Sequence, residues 1–446
     1  MFANKRIDLE LPVVTNKPNS FYYGWVIVAV SFFTLFLTVG MRFSFGVFYV
    51  AILQEYGWGR AETAGAFSVA MITHALFAVV TGNLIDRFGP RMLFPLGATF
   101  LAMGLAAASR ITTIWHLYLF FGIVMAIGIN TISYGPHMSL IPKWFIRKRG
   151  LASGLVVAGI GVGTMVIAPV IQFMIDTVGW RSAFLVLAGM ILGVVVPMTA
   201  LFQRRSPEEV GQFPDGVVPD SRITLAPQPE GPWKDTLFPN LPEQWTLRAA
   251  LSSRAYWWVA LMYFAAGFYT NMLVVHQAAH IVDAGYSPSF AAALVGLVGL
   301  LRSAGGVVGG SFSDRVGRSI GYTLGGCITF AGMVFFILVR DTSLSWLLYA
   351  FVILFGCGSG AMMPIIAAST ADLFPGNFLG RIIGTLVVGF GFGGALGSYL
   401  AGYFYDKVGS YSISFLLVML ILCLGAFGMW MAAPRHRKIL FPSKAG

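Results

Sequence analysis

Apolar residues in this chain gather into long runs that polar residues interrupt only briefly. Twelve runs stand out, near 22–52, 62–85, 92–109, 114–141, 150–176, 182–202, 255–282, 290–313, 319–339, 344–373, 380–405 and 411–433. Crossing a hydrocarbon core takes about 20 helical residues, so each run predicts a membrane-spanning helix. Between the sixth and seventh runs lies a polar stretch, 204–253, with Pro207, Pro214, Pro219, Pro227, Pro229, Pro232, Pro239 and Pro242. Proline at that density opposes regular structure and predicts a connector. Its end, Glu243 to Leu251, with Trp245 and Arg248, predicts a short interfacial helix. The expected fold class is an all-α polytopic membrane protein of twelve transmembrane helices in two pseudo-symmetric halves. The expected organisation is a leader (1–21), a first six-helix half (22–203), the linker (204–253), a second half (254–433) and a basic tail (434–446).

The halves repeat. GNLIDRFG at 82–89 answers GSFSDRVG at 310–317, an offset of 228. Gly159, Gly161, Gly163 and Asp176 to Gly179 answer Gly389, Gly391, Gly393 and Asp406 to Gly409, an offset of 230. Two blocks at nearly one spacing indicate duplication of a six-span unit.

Composition agrees: 57% of the 446 residues are hydrophobic and 11% charged, against about 25% charged in a typical soluble domain. A soluble enzyme is excluded, and no nucleophile–base or metal constellation suggests an integral-membrane one. The first run is too long for a cleavable signal. Cys327, Cys357 and Cys423 lie in or beside apolar runs, as small core residues would. The net charge of +11 has a topological meaning. With the N-terminus inside, 22 of the 29 Lys and Arg fall on the cytoplasmic side and five outside, with Arg42 and Arg302 inside spans. The positive-inside rule then puts both termini in the cytoplasm of a cell (inner or plasma) membrane, and the charge faces membrane lipid rather than nucleic acid.

The candidate chemistry is in what the spans contain. Of 18 Asp and Glu, 17 lie in the leader, loops, linker or span-end turns, and Asp372 lies near the cytoplasmic end of the tenth run. The mid-span charges are both arginines. Arg302 stands eight residues before Gly310, about 12 Å inward at helical rise, where half the hydrocarbon core is about 15 Å. A charge at that depth costs about 2.5–3.5 kcal/mol on insertion scales and usually has a function. Guanidiniums without a counter-carboxylate predict a small carboxylate as substrate, gripped at two points. Arg42 is either a second substrate cation or an outer-gate residue. The repeat offset maps Arg302 onto His74, a candidate proton carrier, and Arg42 onto Asn271 or a neighbour, a candidate lining residue. Tyr134 sits in a Ser133-Tyr134-Gly135-Pro136 break that would let its phenol reach a cavity. His276 is a further coupling candidate toward the outer mouth. The glycines of the fifth and eleventh runs predict close helix packing. In the Asp-Arg turns, Gly82, Asp86, Arg87, Gly89 and Arg91 answer Gly310, Asp314, Arg315, Gly317 and Arg318. They predict a cytoplasmic latch in which Asp86 meets the N-terminus of the eleventh span and Asp314 that of the fifth. No metal or cofactor is expected, and a monomer suffices.

GNLIDRFGPR and GSFSDRVGRS resemble the signature loop of the major facilitator superfamily. Tyr23-Gly24-Trp25-Val26, the run from Tyr134-Gly135-Pro136 through Lys143-Trp144-Phe145 and Lys148 to Gly154, then Pro169 and Gly179-Trp180-Arg181, and Asp372-Leu373-Phe374 narrow the resemblance. They point to the monocarboxylate transporter and oxalate–formate antiporter branch. The resemblance implies alternating access between two halves, with Arg302 at the branch's substrate-pairing arginine of the eighth span. The functional lysine of mammalian-type monocarboxylate transporters aligns with Phe43, one residue beyond Arg42. Two departures leave coupling open between proton symport and anion exchange, dicarboxylates included. Val298 replaces an acidic residue one turn before the arginine, and 382–405 contains no Lys or Arg. Drug export and a transporter-like carboxylate sensor are the competing readings; the first usually needs a buried carboxylate.

Overall fold

A computed structural model describes residues 21–146, 148–216, 245–375 and 378–432. The leader, the tail and most of the proline-rich linker lie outside the described residues, as do the side chains of Asp86 and Arg149. Ten helices are long and apolar enough to cross a membrane. One of them, Gly150–Phe202, is bent at Gly179 (φ 80°, ψ 157°) and holds two spans. Arg60–Phe88 is a further helix of full spanning length with a more polar sequence, which completes twelve.

The first span is Gly24–Phe43 continued by Phe45–Tyr56, with the helix interrupted at Ser44, whose hydroxyl donates to Gly40 O at 2.8 Å. The second is Arg60–Phe88 and the third Pro90–Ala108. The fourth runs through a π-helical stretch, Tyr118–Met125, and breaks at Ile132 and Ser133 before resuming as Tyr134–Trp144. The fifth and sixth spans lie either side of Gly179. After the linker come Leu247–Ser252, capped by Thr246, and the seventh span Arg254–Asp283, capped by Ser253. The eighth is Pro288–Val316, capped by the Ser287 hydroxyl with proline at its first turn, the preferred chemistry for a helix start. The ninth to twelfth are Arg318–Ile337, Trp346–Leu373, Leu379–Val408 and Ser412–Ala432. Of the short helix expected over Glu243 to Leu251, the structure has Leu247–Ser252; Glu243 and Gln244 lie outside the described residues, and Trp245 precedes the helix, edge-on to Phe374 at 5.0 Å.

The duplication is visible in the packing. Gly89 (φ 75°) and Gly317 (φ 96°) end the second and eighth spans with a backbone that side chains rarely adopt. A Cβ at Gly163 would lie 2.2 Å from Phe36 O, and one at Gly393 would lie 2.1 Å from Phe264 O. The fifth span is thus set against the first as the eleventh is against the seventh. The opposite face of each glycine-rich span crosses to the other half: Gly161 meets Ser303, and Gly391 meets Ala75. Spans two and eleven, and five and eight, therefore form the seam between the halves.

Candidate functional site

The seam is closed at one face of the bundle and open at the other. At the end where the second span begins, the Asp406 carboxylate accepts from the backbone N–H of Arg60 at 2.9 Å and of Ala61 at 2.8 Å. It thereby satisfies N–H groups that a helix start leaves without intrahelical partners. The Arg60 guanidinium donates to both oxygens of Asp283 at 2.7 Å, donates to the Tyr411 oxygen at 2.5 Å and lies 3.7 Å above the Tyr405 ring. Repeat symmetry supplies a second contact, in which Ser289 Oγ at the start of the eighth span donates to Asp176 Oδ2 at 3.1 Å. Gln172 Nε2 donates to the other oxygen at 2.7 Å. Inward along the seam Ser68 Oγ donates to Ala395 O at 2.7 Å.

Toward the other face the glycines of the seam spans stand clear of their neighbours among the described residues. Cβ atoms built at Gly82, Gly150, Gly154, Gly380 and Gly384 would meet nothing within 4 Å. Val307, Val308 and Leu151 are exposed. The halves form a wedge whose apex is the Arg60 cluster and whose mouth carries Arg87, Lys148, Arg315 and Arg381.

Arg302 is half-buried within this wedge. Its Nη2 donates to Thr270 Oγ1 of the seventh span at 3.2 Å, and its guanidinium carbon lies 5.6 Å from the centre of the Phe43 ring in the other half. Arg42 points into its own half, with Nη2 3.1 Å from Met71 Sδ. With Met71, His74, Phe67 and Phe121 it lines a void of about 10 Å³, room for about one water molecule. Among the described residues neither arginine has an ion-pair partner. His74 is tied to Asn130, whose amide Nδ2 donates to His74 O at 2.8 Å and to Nδ1 at 3.2 Å. Thr81 Oγ1 donates to the Asn130 Oδ1 at 2.5 Å. An accepting Nδ1 puts the imidazole proton on Nε2.

The other expected residues are dispersed. Asn271 is buried and bonds within its own helix, to Gly267 O at 2.9 Å, with its amide packed on Gly394. It lies beside the position that touches Arg302. Tyr134 is exposed at the resumption of the fourth span. His276 is fully buried in the apex; Tyr411 Oη donates to its Nδ1 at 3.1 Å and its Nε2 donates to Ser398 O at 2.8 Å. Both nitrogens are thereby engaged in holding the closed end. Of the latch residues at the mouth, Asp314 pairs with Arg318, which also reaches Asp372 at 3.1 Å. This network stays within the second half, and among the described residues Asp314 makes no contact with the start of the fifth span in the open-mouthed arrangement. Arg315 is exposed, Gly310 faces Pro364, Arg87 lies 5.1 Å from the Phe88 ring, and Arg91 Nε donates to Ala200 O at 3.3 Å.

Sequence reasoning missed Thr270, Asn130 and the Arg60–Asp283–Asp406 cluster. Thr270 is Arg42 displaced by 228, the offset of the turn motif, so the signal was present. Arg60 and Asp283 read only as loop charges.

Two six-span bundles about a wedge, with arginines inside that have no ion-pair partner among the described residues, are the architecture of an integral membrane protein of the carrier class. The Major Facilitator Superfamily model matches residues 31–353 and 259–446, and the chain belongs to that family of transporters, which are not enzymes. Monocarboxylate transporter 13 of Bos taurus is 26% identical over 404 residues, covering 91% of this chain and 88% of the relative. Monocarboxylate transporter 12 of Homo sapiens is 27% identical over 409 residues, covering 89% and 77%. The chain is therefore similar to the monocarboxylate transporter branch. A bacterial homolog of the human lysosomal transporter Spinster, in an inward-facing and unoccupied conformation, has the same fold. It superposes with a TM-score of 0.69 at 15% identity, covering 93% of this chain and 98% of its own.

Proposed function

We propose that the protein carries a small organic anion, a monocarboxylate, across the membrane by alternating access. The observation that carries this reading is Arg302, a permanent cation near mid-depth of the wedge with no acidic partner among the described residues. In a low-dielectric wedge an uncompensated guanidinium is costly, and a carboxylate that binds its fork at two points relieves that cost. Thr270 steadies the fork from one side, and Phe43 from the other half supplies an apolar wall suited to a short alkyl group. Because Phe43 and Arg302 belong to different halves, bound substrate would draw the two together, which links occupancy to closure.

The mouth lies at the basic end, the cytoplasmic side by the positive-inside rule, so the arrangement corresponds to an inward-open carrier. Opening the other way requires breaking the Arg60 cluster and the Asp176–Ser289 contact. It would bring Asp86 and Asp314 toward the starts of the eleventh and fifth spans. In the coupling role the sequence suggested for it, His74 would take up a proton at Nδ1, with Asn130 releasing that nitrogen and Nε2 keeping its own proton. His276 serves the closed end rather than coupling.

Uptake of labelled monocarboxylates by proteoliposomes containing only this protein and lipid tests the proposal. Arg302→Ala is expected to abolish uptake and Arg302→Lys to weaken it, since an ammonium cannot reproduce a two-point grip. Normal uptake by Arg302→Ala would overturn the assignment.

A further inference from the structure

A second basic site lies away from the wedge, on the outer wall of the first half at the same basic face. The turn between the second and third spans and the end of the sixth span enclose a cleft of about 680 Å³, lined by Phe88, Arg91, Met92, Arg204, Arg205 and Glu209. Among the described residues its lining holds three arginines and one glutamate. Two of the arginines are positioned by backbone. Arg91 Nε donates to Ala200 O at 3.3 Å, and Arg204 Nη1 donates to Leu201 O and Gln203 O, each at 2.8 Å. These are carbonyls of the last turn of the sixth span, which end without intrahelical donors and attract cations. Glu209 in turn accepts from the Arg205 backbone N–H at 3.2 Å. The arrangement holds Arg91 and Arg204 by one edge and leaves guanidinium N–H groups for an occupant.

The walls say what kind of anion. Phe88 and Met92 at the cleft are exposed, and from Met92 an exposed apolar row continues along the third span through Leu96, Phe100 and Met103. That spacing lies on one helical face. An anionic head with an apolar tail fits this continuity, and the cleft sits where the spans end, at the depth of lipid headgroups. Basic pockets between helices on the cytoplasmic side are a recurring form of anionic-lipid site. We propose that the cleft binds the phosphate of an anionic membrane phospholipid through Arg91 and Arg204, with an acyl chain along Met92, Leu96, Phe100 and Met103.

Full-length protein purified in detergent is titrated with phosphatidylglycerol or phosphatidylcholine, and bound lipid is counted by native mass spectrometry. Phosphatidylglycerol is expected to be retained preferentially, and Arg91→Gln to weaken its retention about fivefold. Arg204→Gln should act likewise, but Arg204 also caps a helix, so the exposed Arg91 is the decisive position. Arg340→Gln, an exposed arginine at the opposite face, should leave retention unchanged. Equal retention of the two lipids, or wild-type retention by Arg91→Gln, overturns the proposal. Competition by glycerol phosphate as effective as by the lipid would mark a soluble-phosphate site and also overturns it.

Discussion

If the Arg60 cluster holds the outer end shut, weakening it should shift the carrier toward the outward-open arrangement by a calculable amount. The perturbation is Asp283→Asn with Asp406→Asn, which keeps side-chain shape while removing the two carboxylate charges that contact Arg60 across the seam. A carboxylate at a helix N-terminus contributes about 0.3–1 kcal/mol, and up to about 2 in partly buried geometry. Exposed ion pairs contribute about 0–1 kcal/mol. The Arg60–Asp283 pair should lie at the top of that range, being two-pronged at 2.7 Å with side chains only 17% and 31% exposed. Both contacts converge on residue 60, so they are not additive. About 2 kcal/mol for the double variant is about a 30-fold change in the ratio of the two states. Spin labels at Arg110 and Arg340, exposed residues of the outer loops in different halves, report the separation once Cys327, Cys357 and Cys423 are replaced. The distance distribution should gain a longer component in the double variant. Asp341→Asn is the control, because Asp341 accepts from Ser343 N at 2.8 Å in its own turn and bridges nothing between halves. An unchanged distribution in the double variant, or an equal shift in the control, would refute the reasoning.

Other outcomes follow from single contacts. Gly393→Val forces side-chain atoms onto Phe264 O, 2.1 Å from the ideal Cβ; overpacking of this kind costs about 1–3 kcal/mol, and the thermal midpoint should fall. Gly384→Ala, with nothing within 4 Å, should leave that midpoint unchanged or raised. Asn130→Ala removes the donor to His74 Nδ1 and the acceptor of the Thr81 hydroxyl, a loss of about 1–3 kcal/mol. If His74 carries the coupling proton, the pH profile of uptake should shift in Asn130→Ala while that of Gly384→Ala does not.

The spans were legible because burying charge in hydrocarbon is costly enough to write itself into composition, and the duplication because both copies of each turn keep the same glycines. Side-chain partners were harder. One residue is about 100° around a helix, and the two motif offsets, 228 and 230, differ by more than that. Asn271 and Thr270 could not be separated, although only Thr270 reaches Arg302. The interruption at Ser44 and the π-helical Tyr118–Met125 lie in apolar sequence with no proline to announce them. The face at which the seam closes was not legible either, since the chain carries the means of closing both ends.

That last point has an energetic basis. At the apex, Asp406 satisfies the start of the second span and Asp176 the start of the eighth through Ser289. At the mouth, Asp86 and Asp314 occupy the span ends from which the same chemistry could reach the eleventh and fifth. If Asp86 and Asp314 do reach those starts in the other state, four carboxylates would serve four helix starts in two pairs, and rigid halves could close only one pair at a time. A carrier needs both states within a few kcal/mol, because a larger gap would strand it in one of them. Matching the closures by using one chemistry twice, in contacts of about 0.3–2 kcal/mol each, would keep the gap small. The substrate then has to favour neither end, only the intermediate in which Phe43 and Arg302 approach. Arg302 is therefore expected to govern the rate of exchange between the states more than their ratio, and the same spin-label pair should show Arg302→Ala with a nearly wild-type distribution and no transport.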